Sequence, residues 1–267
     1  MALNIFIDGM QGAGKSTLLT RLSQAFPEYQ AYREGDASPV ELAWCSYLTE
    51  KQYKEVLLSF PELREEIEKK ALTESGMCIV PYTQILTEQS GFHRQMEQYE
   101  IYDGRVPFTR FREIILSRYA ALNAGRHMFE CSFFQNAIES MLLYYEMSEE
   151  EIVAFYREAY GILKPKGFFL LYLDPEDLRE SLLRIRKERV DTEGRELWYP
   201  MMLRYLQDSP YGKSHPFTGM EEMLAHFERR RRLELRLIRE ELCGDAVILP
   251  AKKYDIEQVL EMVRQRG

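Results

Sequence analysis

The feature that most constrains the fold is a glycine-rich loop near the amino terminus, in the segment 3–17 with the sequence LNIFIDGMQGAGKST. Residues 3–7 form a β-branched and aromatic run, which predicts a short buried strand. Leu18, Leu19 and Leu22 follow the loop with helical spacing, so the loop joins a strand to a helix. A chain that begins in this way is expected to build an α/β fold.

The loop fits the pattern G-x-x-x-x-G-K-[ST] at every position. Glycines let the backbone curl so that successive N–H groups point at phosphate oxygens, with the positive end of the helix dipole behind them. In this pattern Lys15 binds the β- and γ-phosphates and Ser16 offers its hydroxyl to Mg²⁺. An incidental turn is the alternative, but the flanking strand and helix favour a nucleoside triphosphate site. The residues expected to bind the nucleotide are Gly9, Met10, Gln11, Gly12, Ala13, Gly14, Lys15, Ser16 and Thr17.

Charge and cysteine content argue against some classes of protein. The 267 residues carry a formal net charge of −8, whereas a general nucleic-acid binder needs a basic surface. Cys45, Cys78, Cys131 and Cys243 lack C-x-x-C spacing, so we expect reduced thiols and neither a disulfide framework nor a zinc site. The longest apolar run, 168–173, is too short to cross a bilayer, and no basic segment precedes the loop as in a signal peptide. We therefore expect a soluble, cytoplasmic protein with no membrane partner; whether it forms a homodimer is left open.

Predicted strands alternate with predicted helices along the rest of the chain. Further strands are expected over about 29–34, 126–131, 167–173 and 245–249. Helices are expected over about 136–145, 149–163 and 254–264, the second of them starting at Ser148. Residues 40–75 and 84–123 are predicted to be mainly helical, and the apolar stretch 77–82 is left unassigned. The alternation predicts a parallel β-sheet with helices on both faces. Length alone would suggest about two domains, but the phosphate loop near the start and a strand near the end favour a single domain over residues 1–267.

Polar residues follow each predicted strand. The second strand ends in the sequence REGD (33–36), the third in ECS (130–132), and the fourth in Asp174 and Pro175. Because ligands bind at the carboxyl ends of the strands in parallel α/β sheets, we expect these residues to lie near the phosphate loop.

In these features the sequence resembles the thymidylate kinase and deoxynucleoside kinase superfamily of P-loop phosphotransferases. The resemblance is carried by FIDGMQGAGKST (6–17), REGD (33–36), Pro39-Val40 with Trp44, ECS (130–132), YLDP (172–175) and LLRIRKER (182–189). It implies an ATP- and Mg²⁺-dependent kinase that acts on a nucleoside or nucleotide as its small-molecule acceptor. A kinase of a non-nucleoside compound on the same scaffold is the runner-up, because a fold does not define a substrate.

The resemblance also implies roles for particular residues on the nucleotide and acceptor sides. Glu34 or Asp36 would accept a proton from the acceptor hydroxyl. Trp44 would contact the acceptor, on a segment over about 40–123, although a tryptophan is more often part of a core. Glu130 would contact the acceptor and hold Mg²⁺ through water, together with Ser16.

An arginine-rich helix is expected to form a mobile lid over about 179–200 that closes on the transferring group. Its candidate residues are Arg184, Arg186 and Arg189, which stand where the superfamily has its lid arginines. The alternative is the polar face of an ordinary helix, since Arg184 lies four residues from both Glu180 and Glu188.

The sequence departs from the superfamily pattern at two places. Cys131 stands where a motif arginine would hold the acceptor or its phosphate, and Arg105 is a candidate to replace that charge. Pro39 lies later than the deoxynucleoside kinase pattern expects, so Glu34 and Asp36 both stay candidates for the base. Because of Cys131, a nucleotide-binding protein without transferase activity is a further alternative.

The run Arg229-Arg230-Arg231-Arg232 could suggest nucleic-acid binding. Helical spacing pairs Glu228 with Arg232, and the chain as a whole is acidic. We therefore expect the run to be a solvated helix face.

Overall fold

The computed structural model describes residues 3–242 and 244–267; Cys243 lies outside the described residues. Its strands are β1 (Asn4–Gly9), β2 (Gln30–Tyr32), β3 (Ser46–Thr49), β4 (Leu72–Glu74), β5 (Met77–Val80), β6 (His127–Glu130), β7 (Phe168–Asp174) and β8 (Ala246–Pro250). Its helices are α1 (Lys15–Ala25), α2 (Glu50–Ser59), α3 (Arg64–Lys70), α4 (Phe92–Glu97), α5 (Phe108–Ala121), α6 (Gln135–Leu143), α7 (Glu149–Leu163), α8 (Leu178–Glu188), α9 (Trp198–Asp208), α10 (Pro210–Ser214), α11 (Met220–Glu240) and α12 (Ile256–Arg266).

The central sheet has the strand order β2-β6-β1-β7-β8. β1 pairs in parallel with β6 on one side and with β7 on the other, and β8 pairs in parallel with β7. The predicted α/β fold with a central parallel sheet is confirmed. The side chains of β7 are buried up to Leu173, as expected for a strand covered on both faces.

Helices cover both faces of this sheet, because successive strand side chains point to opposite sides. On one face, Ile5 and Ile7 of β1 pack with apolar residues of α1 and α12. On the other, Phe6 of β1 contacts Phe133, which in turn packs against Tyr156 of α7. As predicted, Ser148 caps α7: its side chain accepts a hydrogen bond from the backbone N–H of Glu151.

The described residues divide into two compact units. Unit 1 comprises residues 3–31, 122–242 and 244–267, and unit 2 comprises Tyr32–Ala121. The sequence predicts mainly helical structure over residues 40–75 and 84–123, with 77–82 unassigned, and the single domain stays a prediction.

Unit 2 contains α2, α3, α4 and α5, together with its own three-stranded antiparallel sheet in the order β3-β5-β4. The mainly helical character agrees with the prediction, and β5 lies in the stretch 77–82 that the sequence left unassigned. β3 and β4 were not predicted, because strands of three or four residues are too short to show a period-2 pattern.

The thiols of Cys45, Cys78 and Cys131 are free and buried. Of the helices that the described residues form, none has the length and apolar composition needed to cross a membrane.

Two buried glutamates stand out in unit 2, each hydrogen-bonded by a tyrosine. Glu41 accepts from the Tyr102 hydroxyl and from the backbone N–H groups of Leu42 and Ala43. Glu100 accepts from the Tyr82 hydroxyl at 2.5 Å. Burial raises the pKa of Glu41 from 4.5 to about 7 and that of Glu100 from 4.5 to about 8, although the tyrosine hydrogen bonds oppose the shift.

These pKa shifts predict that the protein loses stability as the pH rises. A carboxyl with a raised folded-state pKa stabilises the fold fully below about pH 4.5, and this contribution is lost as the pH passes 7 to 8. The double variant Glu41→Gln/Glu100→Gln should show a smaller drop in unfolding temperature between pH 5.5 and 8.5 than the wild type.

The control is Glu65→Gln, which changes an exposed carboxylate of α3 and should keep the wild-type pH dependence. Equal temperature drops for the wild type and the double variant would show that the two glutamates ionise without cost in the fold.

Candidate active site

The glycine-rich loop connects β1 to α1 in unit 1, as predicted, and two of its glycines are required by close packing. Gly9 has φ +139°, and a Cβ there would lie 2.3 Å from the Leu173 carbonyl oxygen of β7. Gly12 has φ +70°, and a Cβ there would lie 2.5 Å from side-chain atoms of Ile185 in α8. The loop therefore runs directly against β7 and α8: a side chain at Gly9 would meet backbone, and one at Gly12 would have to displace the end of the Ile185 side chain.

The start of α1 has the character of an anion site. Gly14 precedes the helix, and no side chain within the described residues caps its first N–H groups. The ammonium group of Lys15, nearly buried, donates to the carbonyl oxygens of Gly9 and Met10, at 3.0 Å each. A lysine ammonium has three donors, so one is left to bind an anion beside the loop. The Gln11 side-chain oxygen is buried without a hydrogen-bond partner within the described part of the chain.

Ser16 and Glu130 lie together at the carboxyl end of β6, as the sequence predicted. The Ser16 hydroxyl donates to Glu130 Oε1, and Glu130 stands beside Ile7 in the register of β6 with β1. Cys131 follows with φ 57°, a left-handed backbone that turns the chain immediately after Glu130. A hydroxyl and a carboxylate are oxygen ligands of the kind that Mg²⁺ prefers. Within residues 3–242 and 244–267, no cluster of three or more His, Cys, Asp or Glu side chains is placed to hold a metal ion.

Asp8, the last residue before the loop, is a site residue that the sequence reasoning missed. Its carboxylate accepts from the backbone N–H groups of Gly9 at 3.0 Å, Phe133 at 3.2 Å and Phe134 at 2.8 Å. Burial raises its pKa, and the charge of Lys15 opposes the shift. Asp8 thus joins the start of the loop to the turn that follows Glu130. The available signal was an acidic residue within an otherwise apolar strand.

The three candidate lid arginines differ in what they contact. In α8, Arg184 pairs with Glu180 at 2.8 Å, as its spacing suggested. Arg186 pairs with Glu196 at 2.8 Å, and its guanidinium lies 4.0 Å from the ring centre of Tyr199. Arg189, at the end of α8, is exposed and its side chain has no partner among the described residues. The mobility of this segment stays a prediction.

The expectation of a solvated helix face for residues 229–232 is wrong for Arg230. That side chain is fully buried in α11, and Arg231 makes a two-pronged ion pair with Asp174 at the end of β7. The reason is periodicity: His226, Arg230 and Glu234 recur every four residues and occupy the buried side of α11.

In unit 2, Asp36 is held by its own turn. One carboxylate oxygen accepts from the backbone N–H of Arg33 and the other from the Gln84 amide, both at 2.7 Å. Glu34 accepts a longer hydrogen bond of 3.3 Å from the Trp44 indole N–H.

Trp44 and Arg105 are two further candidate site residues in unit 2, and the sequence did not indicate their surroundings. Trp44 is 46% exposed and has φ 64°, so it is not a core residue. Arg105 pairs with Glu97. Its proposed substitution for the motif arginine at position 131 stays a prediction.

The chain matches no known family model and no curated protein. One solved structure to which it is similar is that of "a putative kinase from Chloroflexus aurantiacus J-10-fl". The two share 12% sequence identity with a TM-score of 0.35, over 99% of this chain and 98% of that chain. At this weak likeness, the function has to be inferred from the residues and the geometry.

The contact between Gly12 and Ile185 predicts energetic coupling between the loop and α8. Gly12→Ala should destabilise the protein, because its Cβ would overlap Ile185 and φ is positive. Ile185→Ala alone should cost roughly 2–5 kcal/mol as a cavity, but clearly less in the Gly12→Ala background. The coupling is measured from the free energies of unfolding in denaturant of the wild type, the two single variants and the double variant.

Leu182→Ala is the matched control, since no atom of Leu182 lies within 4 Å of the position of a Gly12 Cβ. Its effect should add to that of Gly12→Ala. If the effects of Ile185→Ala and Gly12→Ala on the free energy of unfolding also add, the close contact is contradicted.

Proposed function

We propose that the protein is an ATP- and Mg²⁺-dependent phosphotransferase that acts on a nucleoside or a nucleoside monophosphate. The observation that supports this most is the joint placement of an uncapped helix start, Lys15, and the Ser16–Glu130 contact around one glycine-rich loop. Phosphoryl transfer needs mainly positioning and charge neutralisation from the protein, and this set of groups supplies both.

On the nucleotide side, the loop N–H groups and Lys15 bind the β- and γ-phosphates of ATP. The Ser16 hydroxyl and the Glu130 carboxylate, the latter through water, are the residues that would hold Mg²⁺. When bound, Mg²⁺ neutralises the charge that builds up on the phosphate oxygens. Asp8 keeps the turn after Glu130 in place by accepting from the backbone N–H groups of Phe133 and Phe134.

Of the two candidate bases, Glu34 is favoured over Asp36. Both oxygens of Asp36 already accept strong hydrogen bonds that shape the turn 33–36. Glu34 accepts a longer hydrogen bond, of 3.3 Å, from the Trp44 indole N–H, and the superfamily resemblance assigns the proton acceptor to this turn. In this assignment the exposed Trp44 ring packs against the acceptor.

Among the lid arginines, Arg189 is favoured as the residue that stabilises the transferring phosphoryl group. Arg184 and Arg186 are engaged with glutamates, whereas the Arg189 side chain has no partner in the described part of the chain. An arginine in this role can contribute roughly 10³–10⁵ in rate.

A panel of acceptors tests the proposed function. Product mass should be measured with Mg-ATP and nucleosides, nucleoside monophosphates or unrelated hydroxyl compounds. Lys15→Ala should lower turnover on the order of 10²-fold or more, because a preorganised charge at the phosphates is lost. Lys54→Ala, at an exposed lysine of α2, is the control.

Phosphorylation of only non-nucleoside compounds would favour the runner-up acceptor class. Binding of Mg-ATP without any product would favour the nucleotide-binding protein without transferase activity, for which the buried Cys131 at the motif-arginine position is the supporting observation. If Mg-ATP does not bind, the proposal fails.

Substitution of the two turn carboxylates distinguishes their roles. Glu34→Gln should lower kcat by roughly 10²–10⁴ with little change in unfolding temperature, as expected for loss of a general base. Asp36→Asn should lower the unfolding temperature more than Glu34→Gln does, since it weakens the hydrogen bonds of the turn, and it should lower kcat less than Glu34→Gln does. The reverse pattern would assign the base to Asp36.

A further inference from the structure

A buried polar cluster adjoins the phosphate loop but belongs to none of the groups assigned above. It consists of His226, Arg230 and Glu234 on α11, Glu139 on α6, and Tyr172 on β7. All five residues are buried, and the Arg230 and Glu234 side chains are fully so. The surrounding core, which includes Met10, Leu143 and Phe227, is otherwise apolar.

Arg230 is the centre of this cluster. Its Nη1 donates to Glu139 Oε1 at 2.5 Å, and its Nε lies 2.9 Å from Glu234 Oε1. The outer oxygens of the two glutamates are also engaged, by His226 at 2.7 Å and by the Tyr172 hydroxyl at 2.6 Å. Burial raises the pKa of Glu139, but His226 and Arg230 outweigh it and bring the value to about 2, so an ionised carboxylate faces the guanidinium.

The cluster meets the phosphate loop at the residues on either side of Gly9. Arg230 Nη2 lies 3.7 Å from the Met10 sulfur. Tyr172 stands beside Asp8 in the register of β7 with β1, and the Arg230 charge favours the ionised form of Asp8. The carbonyls of Gly9 and Met10 in turn hold the Lys15 ammonium. A continuous series of contacts therefore runs from α11 to Lys15.

Stability alone is a poor explanation for this arrangement. Burying a charged pair costs several kcal/mol per ion, and apolar replacements of similar volume are often as stable or more so. The geometry is also imperfect, since Arg230 Nε and Glu234 Oε1 lie close together yet neither makes a hydrogen bond within the described residues.

We propose that Arg230 is a positioning residue for the phosphate loop, acting through Met10 and Asp8. Its consequence for nucleotide binding rests on the function proposed above. By holding the Met10 side chain from the interior, Arg230 fixes the backbone of residues 9 and 10, whose carbonyls orient Lys15.

The test uses the double variant Arg230→Met/Glu139→Gln in the full chain. Glu139→Gln removes the carboxylate that would otherwise lose its cation, and the new glutamine can keep the hydrogen bond to His226. Glu234 keeps the hydrogen bond from Tyr172, and because burial raises its pKa to about 7 while Arg230 opposes the shift, it is protonated more readily once Arg230 is absent. Arg232→Met, at an exposed arginine of the same helix, is the matched control. In the free protein, amide hydrogen exchange of residues 8–16 should become about tenfold faster in the double variant only, with the rest of unit 1 unchanged.

Binding of Mg-ATP is then measured by calorimetry in the wild-type and Lys15→Ala backgrounds. The double variant should weaken binding about tenfold in the wild-type background and by much less once Lys15 is absent, because the effect passes through that lysine. An equal loss in both backgrounds, unchanged binding, or faster exchange throughout unit 1 would each overturn the positioning role.

The exchange measurement separates this proposal from the proposed function. If the wild type binds no Mg-ATP, the function fails, and exchange at residues 8–16 still decides the role of Arg230. Faster amide exchange confined to residues 8–16 would support that role, and identical exchange in the variant and the wild type would overturn it.

Discussion

The rest of the structure depends on the close approach of Gly9 to the backbone of β7. Because the pairing of β1 with β7 continues through Gly9 opposite Leu173, the phosphate loop leaves the sheet from a fixed point. That point lies in the middle of the sheet, between strands whose carboxyl ends all face the same edge. Asp8 then anchors the turn after β6 to the same point, which places Glu130 next to Ser16.

The sequence was sufficient to predict those features that depend on residues close together in the chain. The loop motif, the strands of the central sheet, and the helix start at Ser148 depend on residues within a few positions of each other. The meeting of Ser16 and Glu130 is a contact over 114 residues, yet it followed from the rule that parallel strands end at one edge.

The features that could not be predicted depend on partners distant in the sequence or on very short elements. Glu139 and Glu234 face the buried Arg230, and the Phe133 and Phe134 N–H groups donate to the buried Asp8. The position of Asp8 in an apolar strand and the four-residue spacing on α11 are visible in the sequence, but neither identifies the partners that make burial of the charge possible. The strands of unit 2 are too short for periodicity, and their pairing brings together β3 and β5 across two intervening helices.

The absence of a side chain at Gly12 has an evolutionary consequence. Ile185 occupies the volume that a side chain at position 12 would need, so the two positions share one space. Among descendants of this chain, a side chain at position 12 would cost less free energy once a smaller residue had arisen at position 185, although the positive φ would strain it in either case. The helix that carries the arginines and the loop that carries the lysine would therefore change together over time.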